Sequence, residues 1–113
     1  PFDVEQVKET HLAYLHTLEQ MLVGQIPPTQ DTLADADACP FGQWYASPEP
    51  GPWADTPVFR DVCPIHRRFH ETAQQIVALI QAGKTEDARA LVTSFRQTRR
   101  ELFARFDQLC QSG

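Results

Sequence analysis

A chain of 113 residues and 12.8 kDa holds one domain with one modest core. Its 42% apolar and 22% charged content is that of an ordinary globular protein, and its longest apolar run is five residues, Ile76 to Ile80, which excludes a transmembrane helix of about 20 residues. The net charge is −5, and no Lys or Arg lies between Glu9 and Phe59, so nucleic acid and anionic membrane are poor partners.

The chain opens on Pro1 with a charged, amphipathic stretch and no secretory signal, so residues 1–113 read as a single domain cut from a longer protein. Three cysteines, at positions 39, 63 and 110, are odd in number and widely spaced. They do not make a disulfide framework and read as free or metal-bound thiols in a reducing, cytoplasmic compartment.

From about Val4 to Val23 the seam Val4, Val7, His11, Tyr14, Leu18, Met21 steps by threes and fours, and Leu15 and Leu22 widen it. Asp3 is a good N-cap with Gln6 three residues on, and Gly24 is a natural stop. The stretch from Pro27 to Pro57 carries seven of the nine prolines, which forbids a regular long element. A short helix fits at Thr32 to Ala38 and another turn at Phe41 to Tyr45. The run from Ser47 to Pro57 is a loop by composition.

The second long helix is predicted over Val58 to Ala82, on the seam Phe59, Val62, His66, Phe69, Ala73, Ile76, Ile80. Pro64 falls inside it, so the helix either kinks there or is split into a short and a longer piece. Gly83 ends it. Thr85 reads as the cap of the last helix, with Glu86 and Asp87 in its first turn. The apolar positions of that helix are Ala88, Leu91, Val92, Phe95, Leu102, Phe103, Phe106 and Leu109. The fold class that follows is all-α: an antiparallel four-helix-bundle-like domain with an irregular proline-rich segment between the first and second long helices. Phe59, Phe69, Phe95, Phe103 and Phe106 read as its core.

The histidines carry the chemistry. His66 and His70, spaced i, i+4, share one helix face about 6 Å apart at Cβ, as a common metal requires. His11 lies on the inward seam of the first helix, while His16 is about 140° further round and faces the polar side. Three buried imidazoles without a shared partner leave several polar nitrogens to satisfy, and one divalent ion removes that problem. A closed tetrahedral site needs a fourth donor. Cys39, in Cys39-Pro40-Phe41-Gly42-Gln43-Trp44, is the best candidate, with Gly42 allowing a tight bend and Phe41 and Trp44 anchoring the turn. Cys63, three residues before His66, is the rival, although a cysteine on a helix is commonly a small hydrophobe. Cys110 receives no role. Asp35, Asp37 and Glu71 are candidates for orienting the imidazoles.

His11-x-x-Tyr14, then Cys39-x-Phe41-Gly42-x-Trp44, then His66-x3-His70 resembles the chemoreceptor zinc-binding family over roughly residues 5 to 80. Tyr14 stands where that family usually has Trp, and Cys63 is outside its pattern. The resemblance implies Zn2+ held by His11, Cys39, His66 and His70. It implies a cytoplasmic, non-catalytic sensor domain, often a homodimer, attached to a signalling module such as a chemoreceptor or a diguanylate cyclase. It further implies a response to zinc itself or to oxidants such as hypochlorite acting on Cys39.

Two other readings compete. One is a metalloenzyme-like open site of three histidines with water in the fourth position, which rises if Cys39 does not ligate. The other is a purely structural, zinc-stapled dimerisation module, for which Trp53 and the prolines of the middle loop supply edge residues. Three imidazoles and a thiolate suit zinc, with copper competing on affinity.

Overall fold

The structure is a computed structural model that describes residues 3–29 and 36–112. Among the described residues four α-helices follow one another: α1 (Val4–Leu22), α2 (Pro40–Ala46), α3 (Pro57–Gln81) and α4 (Thr85–Ser112), with a 3-10 turn at Gly51–Asp55. No strand occurs among the described residues. The all-α bundle read from the sequence is the observed fold.

Each long helix begins and ends for local reasons. The Asp3 carboxylate accepts from the Gln6 amide at 3.1 Å and caps α1. Thr56 does the same for α3 through Phe59, with Pro57 at the first helical position where a missing N–H costs nothing. Gly24 and Gly83 have φ of +82° and +78°, the left-handed turn that closes α1 and α3. Thr85 is the first residue of α4 and not its cap. The Lys84 carbonyl accepts the first helical bond, from Ala88 at 3.0 Å.

Pro64 neither splits nor ends α3, which is one continuous helix of 25 residues. The proline withholds a donor from the Arg60 carbonyl, and its ring lies on the exposed side. The short helix expected at Thr32 to Ala38 falls mostly outside the described residues, and 36–38 form a turn. The turn expected at Phe41 to Tyr45 is a two-turn helix, α2.

Cross-helix pairs fix the directions. Lys8 pairs with Asp107 at 2.7 Å and Glu19 with Arg96 at 2.6 Å, so α1 runs antiparallel to α4. Arg68 pairs with Glu101 across the α3–α4 hairpin. The α1 and α3 helices therefore run the same way, and Gln81, at the end of α3, donates to the Pro28 carbonyl just beyond α1. Parallel neighbours need a connection that travels back along the bundle, which is what the proline-rich segment does. The body measures 46 × 22 × 20 Å.

Leu18, Met21, Phe69, Ile76, Phe95, Leu102, Phe106 and Leu109 fill the centre between the three long helices. Phe103, expected in the core, is only partly buried; Lys8 and Arg99 lie over its ring at 5.7 and 5.3 Å.

Candidate metal centre

Three elements converge on one point inside the bundle. The α1 seam carries His11, two adjacent turns of α3 carry His66 and His70, and the residue preceding α2 carries Cys39. All four side chains are buried, and their donor atoms lie within 4.8 Å of one another. The Cys39 sulfur is 3.3 Å from His66 Nε2 and 3.9 Å from His11 Nε2, and His70 Nε2 is 3.1 Å from His66 Nε2. A tetrahedral zinc with ordinary bond lengths spaces its donors about 3.3–3.6 Å apart, so this arrangement fits one ion.

The surroundings prepare each donor. His11 Nδ1 lies 2.8 Å from the Val7 carbonyl. Donation there places the proton on Nδ1 and leaves Nε2 as the lone pair facing the cluster. Cys39 is the N-cap of α2, and its sulfur accepts the Gly42 N–H at 3.4 Å. A helix N-terminus and an amide donor both favour negative charge on sulfur.

Burial pushes the His11 pKa down to about 4, partly opposed by the Val7 hydrogen bond. Burial, joined by the neighbouring charges of His70, His11 and Arg67, pushes His66 down to about 2. Neutral imidazoles are the form that binds metal. Burial first, and the Cys39 charge second, raise the Tyr14 hydroxyl above its usual value.

Aromatic rings wall the cluster. Phe69 and Phe106 lie 5.2 and 5.4 Å from the His11 ring, and Phe41 lies 5.0 Å from His66. Tyr14, three residues after His11, meets both His11 and His70 edge-on. These walls help bury the four side chains and raise the cost of leaving a charge unpaired inside. Phe69 and Phe106, read from the sequence as core, are thus also part of the site's enclosure.

α2 is held in place by Tyr45, which stacks on Phe59 at 4.0 Å and donates its hydroxyl to the Phe59 carbonyl at 2.6 Å. Gly42 has an ordinary helical backbone, so it is not needed for a bend, as its sequence context suggested. Its reason is proximity: a Cβ there would collide with the Ala36 carbonyl.

The four sequence candidates are the four residues brought together. His16 is on the outside with 78% of its side chain exposed. Cys63 is not in the cluster; it is half-buried on α3 and lines a cleft with Tyr45 and Arg67. Cys110 is exposed. Asp37 pairs with Arg67 at 3.2 Å on the surface, Glu71 is exposed, and Asp35 lies outside the described residues. The acceptor that orients His11, the Val7 carbonyl, is a backbone atom one turn before it, a signal readable only from the i−4 geometry of a helical histidine.

The sequence model of the chemoreceptor zinc-binding domain matches residues 11–77, more than half of the chain and all four donors. No curated protein and no solved structure matches it. The matched span opens on the first histidine of the cluster and extends past the last, and the fold buries all four side chains together: the chain belongs to the chemoreceptor zinc-binding domain family.

Proposed function

We propose that this domain is a zinc-responsive regulatory unit in which His11, Cys39, His66 and His70 are the four ligands of one zinc ion. Cys39 is the oxidisable member of the set. The observation that carries the reading is the convergence of three imidazole nitrogens and one thiol sulfur within 4.8 Å in a buried site. Bound zinc supplies a positive charge that holds the thiol deprotonated and draws four side chains to one centre.

The chain's own residues do the rest. His66 and His70 present a pair of nitrogens from one helix. His11 is aimed by the Val7 carbonyl. Cys39 ties the start of α2 to α1 and α3. Four protein donors fill a tetrahedral shell and leave no position for a substrate, which favours regulation over catalysis. Three of the donors are imidazoles, which resist oxidation, and one is a thiolate, which does not. Loss of zinc, or oxidation of Cys39, frees the start of α2 from the two long helices. Output passes to a signalling module such as a chemoreceptor or a diguanylate cyclase.

The test is metal per chain by elemental mass spectrometry on protein purified without added metal, for wild type and Cys39→Ala in parallel. About one zinc per wild-type chain, lost or readily stripped by a chelator in the variant, is the expected outcome. Zinc held equally well by both proteins would remove Cys39 from the shell and reopen a three-histidine site with a vacant position. No metal in either would overturn the reading.

A further inference from the structure

The four donors are closed off from solvent: His11 and Cys39 are wholly enclosed, and His66 and His70 are only 5% and 2% exposed. An ion that they hold has to reach them along an opening in the fold. Clefts among the described residues come up to the cluster from different sides, and their walls differ in kind. The cleft that ends on His11 lies between α1 and α2, walled by Val7, Pro40, Phe41 and Trp44. Its polar members Asp3 and Thr10 are turned to the α1 backbone, one on the Gln6 N–H at 3.1 Å and the other on the Gln6 carbonyl at 3.0 Å. The cleft that ends on His66 is faced by Phe41, Tyr45, Ala46 and Cys63. The cleft that ends on His70 is of another character. Its volume is about 290 Å³, and its other walls are Ala36, Asp37, Arg67, Glu71 and Gln74: two carboxylates, a guanidinium, an amide and a single methyl group.

We propose that the divalent cation enters and leaves the centre through the polar cleft over His70, with the Glu71 carboxylate receiving it on the way. This deepens the zinc reading and rests on it. What joins the cleft to the ion is His70, at once a wall of the cleft and one of the four donors. A hydrated zinc ion gives up its waters one at a time, and each departure is easiest where an oxygen stands ready to replace it. Carboxylate oxygen is an ordinary zinc ligand; an aromatic or aliphatic wall offers the ion nothing in exchange for its water. A cleft lined with negative charge also gathers cations and speeds their arrival.

The one cation in the cleft, Arg67, is paired with Asp37 at 3.2 Å, which offsets its charge. Glu71 follows His70 directly on α3 and is exposed, so it meets solvent and the cleft together. A carboxylate that the ion touches only in passing lowers the barrier for arrival and for departure alike. It therefore sets the speed of exchange and leaves the affinity to the four donors.

The experiment times zinc exchange in the full chain. For uptake, metal-free protein is mixed with Zn2+ at low salt, quenched with excess chelator after set intervals, and its retained ion counted by elemental mass spectrometry. For release, the loaded chain is mixed with a chromogenic chelator, and affinity is measured by chelator competition. Wild type is compared with Glu71→Gln, with Gln74→Glu, which adds a carboxylate to the same cleft, with Gln6→Glu, which adds one to the cleft at His11, and with Asp61→Asn, which removes an exposed charge elsewhere on α3. Glu71→Gln is expected to slow uptake and release together by about three- to tenfold, with affinity kept within about threefold. Gln74→Glu should speed uptake, and Asp61→Asn should match wild type. Unchanged rates in Glu71→Gln would overturn the route. So would faster release with unchanged uptake, which is the mark of a carboxylate acting on the seated ion, or an acceleration by Gln6→Glu equal to that by Gln74→Glu. A wild-type chain that takes up no zinc fails the zinc reading itself, whereas full loading at unaltered rates in every variant fails the route alone.

Discussion

Burial keeps His11 and His66 neutral, and that neutrality is a statement about stability as well as about binding. Their pKa values are pushed down to about 4 and about 2 from the ordinary 6.5, chiefly by desolvation. In the metal-free protein the folded state therefore binds fewer protons than the unfolded chain below pH 6.5. The stability present above that pH is lost as pH falls through the window toward 4 for His11 and onward for His66. Urea unfolding of the metal-free chain at about pH 7.5 and about pH 5 should show a loss of roughly 2 kcal/mol per histidine. A flat profile would mean that the two imidazoles are not enclosed. Gly42 gives a second prediction at this scale. In Gly42→Ala the new methyl meets the Ala36 carbonyl, so a change that ordinarily favours a helix should instead destabilise by about 1–3 kcal/mol. Metal affinity measured by chelator competition should drop with it, because Cys39 leads the same helix. That His11, His66 and His70 face inward was legible from their spacing, while type and spacing left Cys63 as a rival to Cys39, and it is the fold that brings Cys39 to the three imidazoles. The reason for Gly42 was not legible, because the atom it makes room for is six residues away and comes near only in the fold.

Helix α3 shows how far periodicity carries and where it stops. Its seam of apolar residues and histidines at three- and four-residue steps fixed the element and the face it buries. The same seam on α1 fixed the inward direction of His11. The behaviour of Pro64 was not decided by the pattern, because a proline one side of a helix can be tolerated if its face is solvated and packing holds the rest. Phe59, Val62, Phe69 and Ile76 are buried on the face that packs, and Pro64 is on the other. Restoring the donor to the Arg60 carbonyl in Pro64→Ala should stabilise the chain by about 1–3 kcal/mol, read as a rise in Tm with metal content unchanged. A fall in Tm would assign the ring a packing role. Thr56→Ala should cost about 1 kcal/mol through the lost cap. Phe103 escaped the pattern for the opposite reason: helix period places it near the core side of α4, but it lies at the margin of that face, where Lys8 and Arg99 cover it.

The parallel course of α1 and α3 organises the whole molecule. Composition alone showed that the middle segment was irregular; its task, carrying the chain back so that two helices point the same way, depends on long-range pairs such as Lys8 with Asp107 and Gln81 with the Pro28 carbonyl. The cluster draws donors from α1, α3 and the start of α2, so metal removal should loosen contacts between elements more than the helices themselves. Chelator treatment is expected to lower Tm by several degrees with far-UV helicity largely kept, a balance that circular dichroism and thermal unfolding read together. Exposed pairs such as Arg89 with Glu86 should matter little, within about 0.5 kcal/mol on Arg89→Ala.

Half of the donor set is inherited from a single stretch of helix, His66 and His70, while the other half arrives from His11 and Cys39, 28 residues apart in sequence. The α3 pair is complete as soon as α3 is folded. Occupation of the site therefore carries a docking free energy for α1 and α2 and none for α3. Thermodynamic reciprocity then runs both ways: whatever presses α2 against the two long helices tightens the hold on the ion by the same factor by which the ion tightens the seating of α2. The residue that caps a seven-residue helix is in this sense the joint at which an ion in the site would meet the seating of that helix.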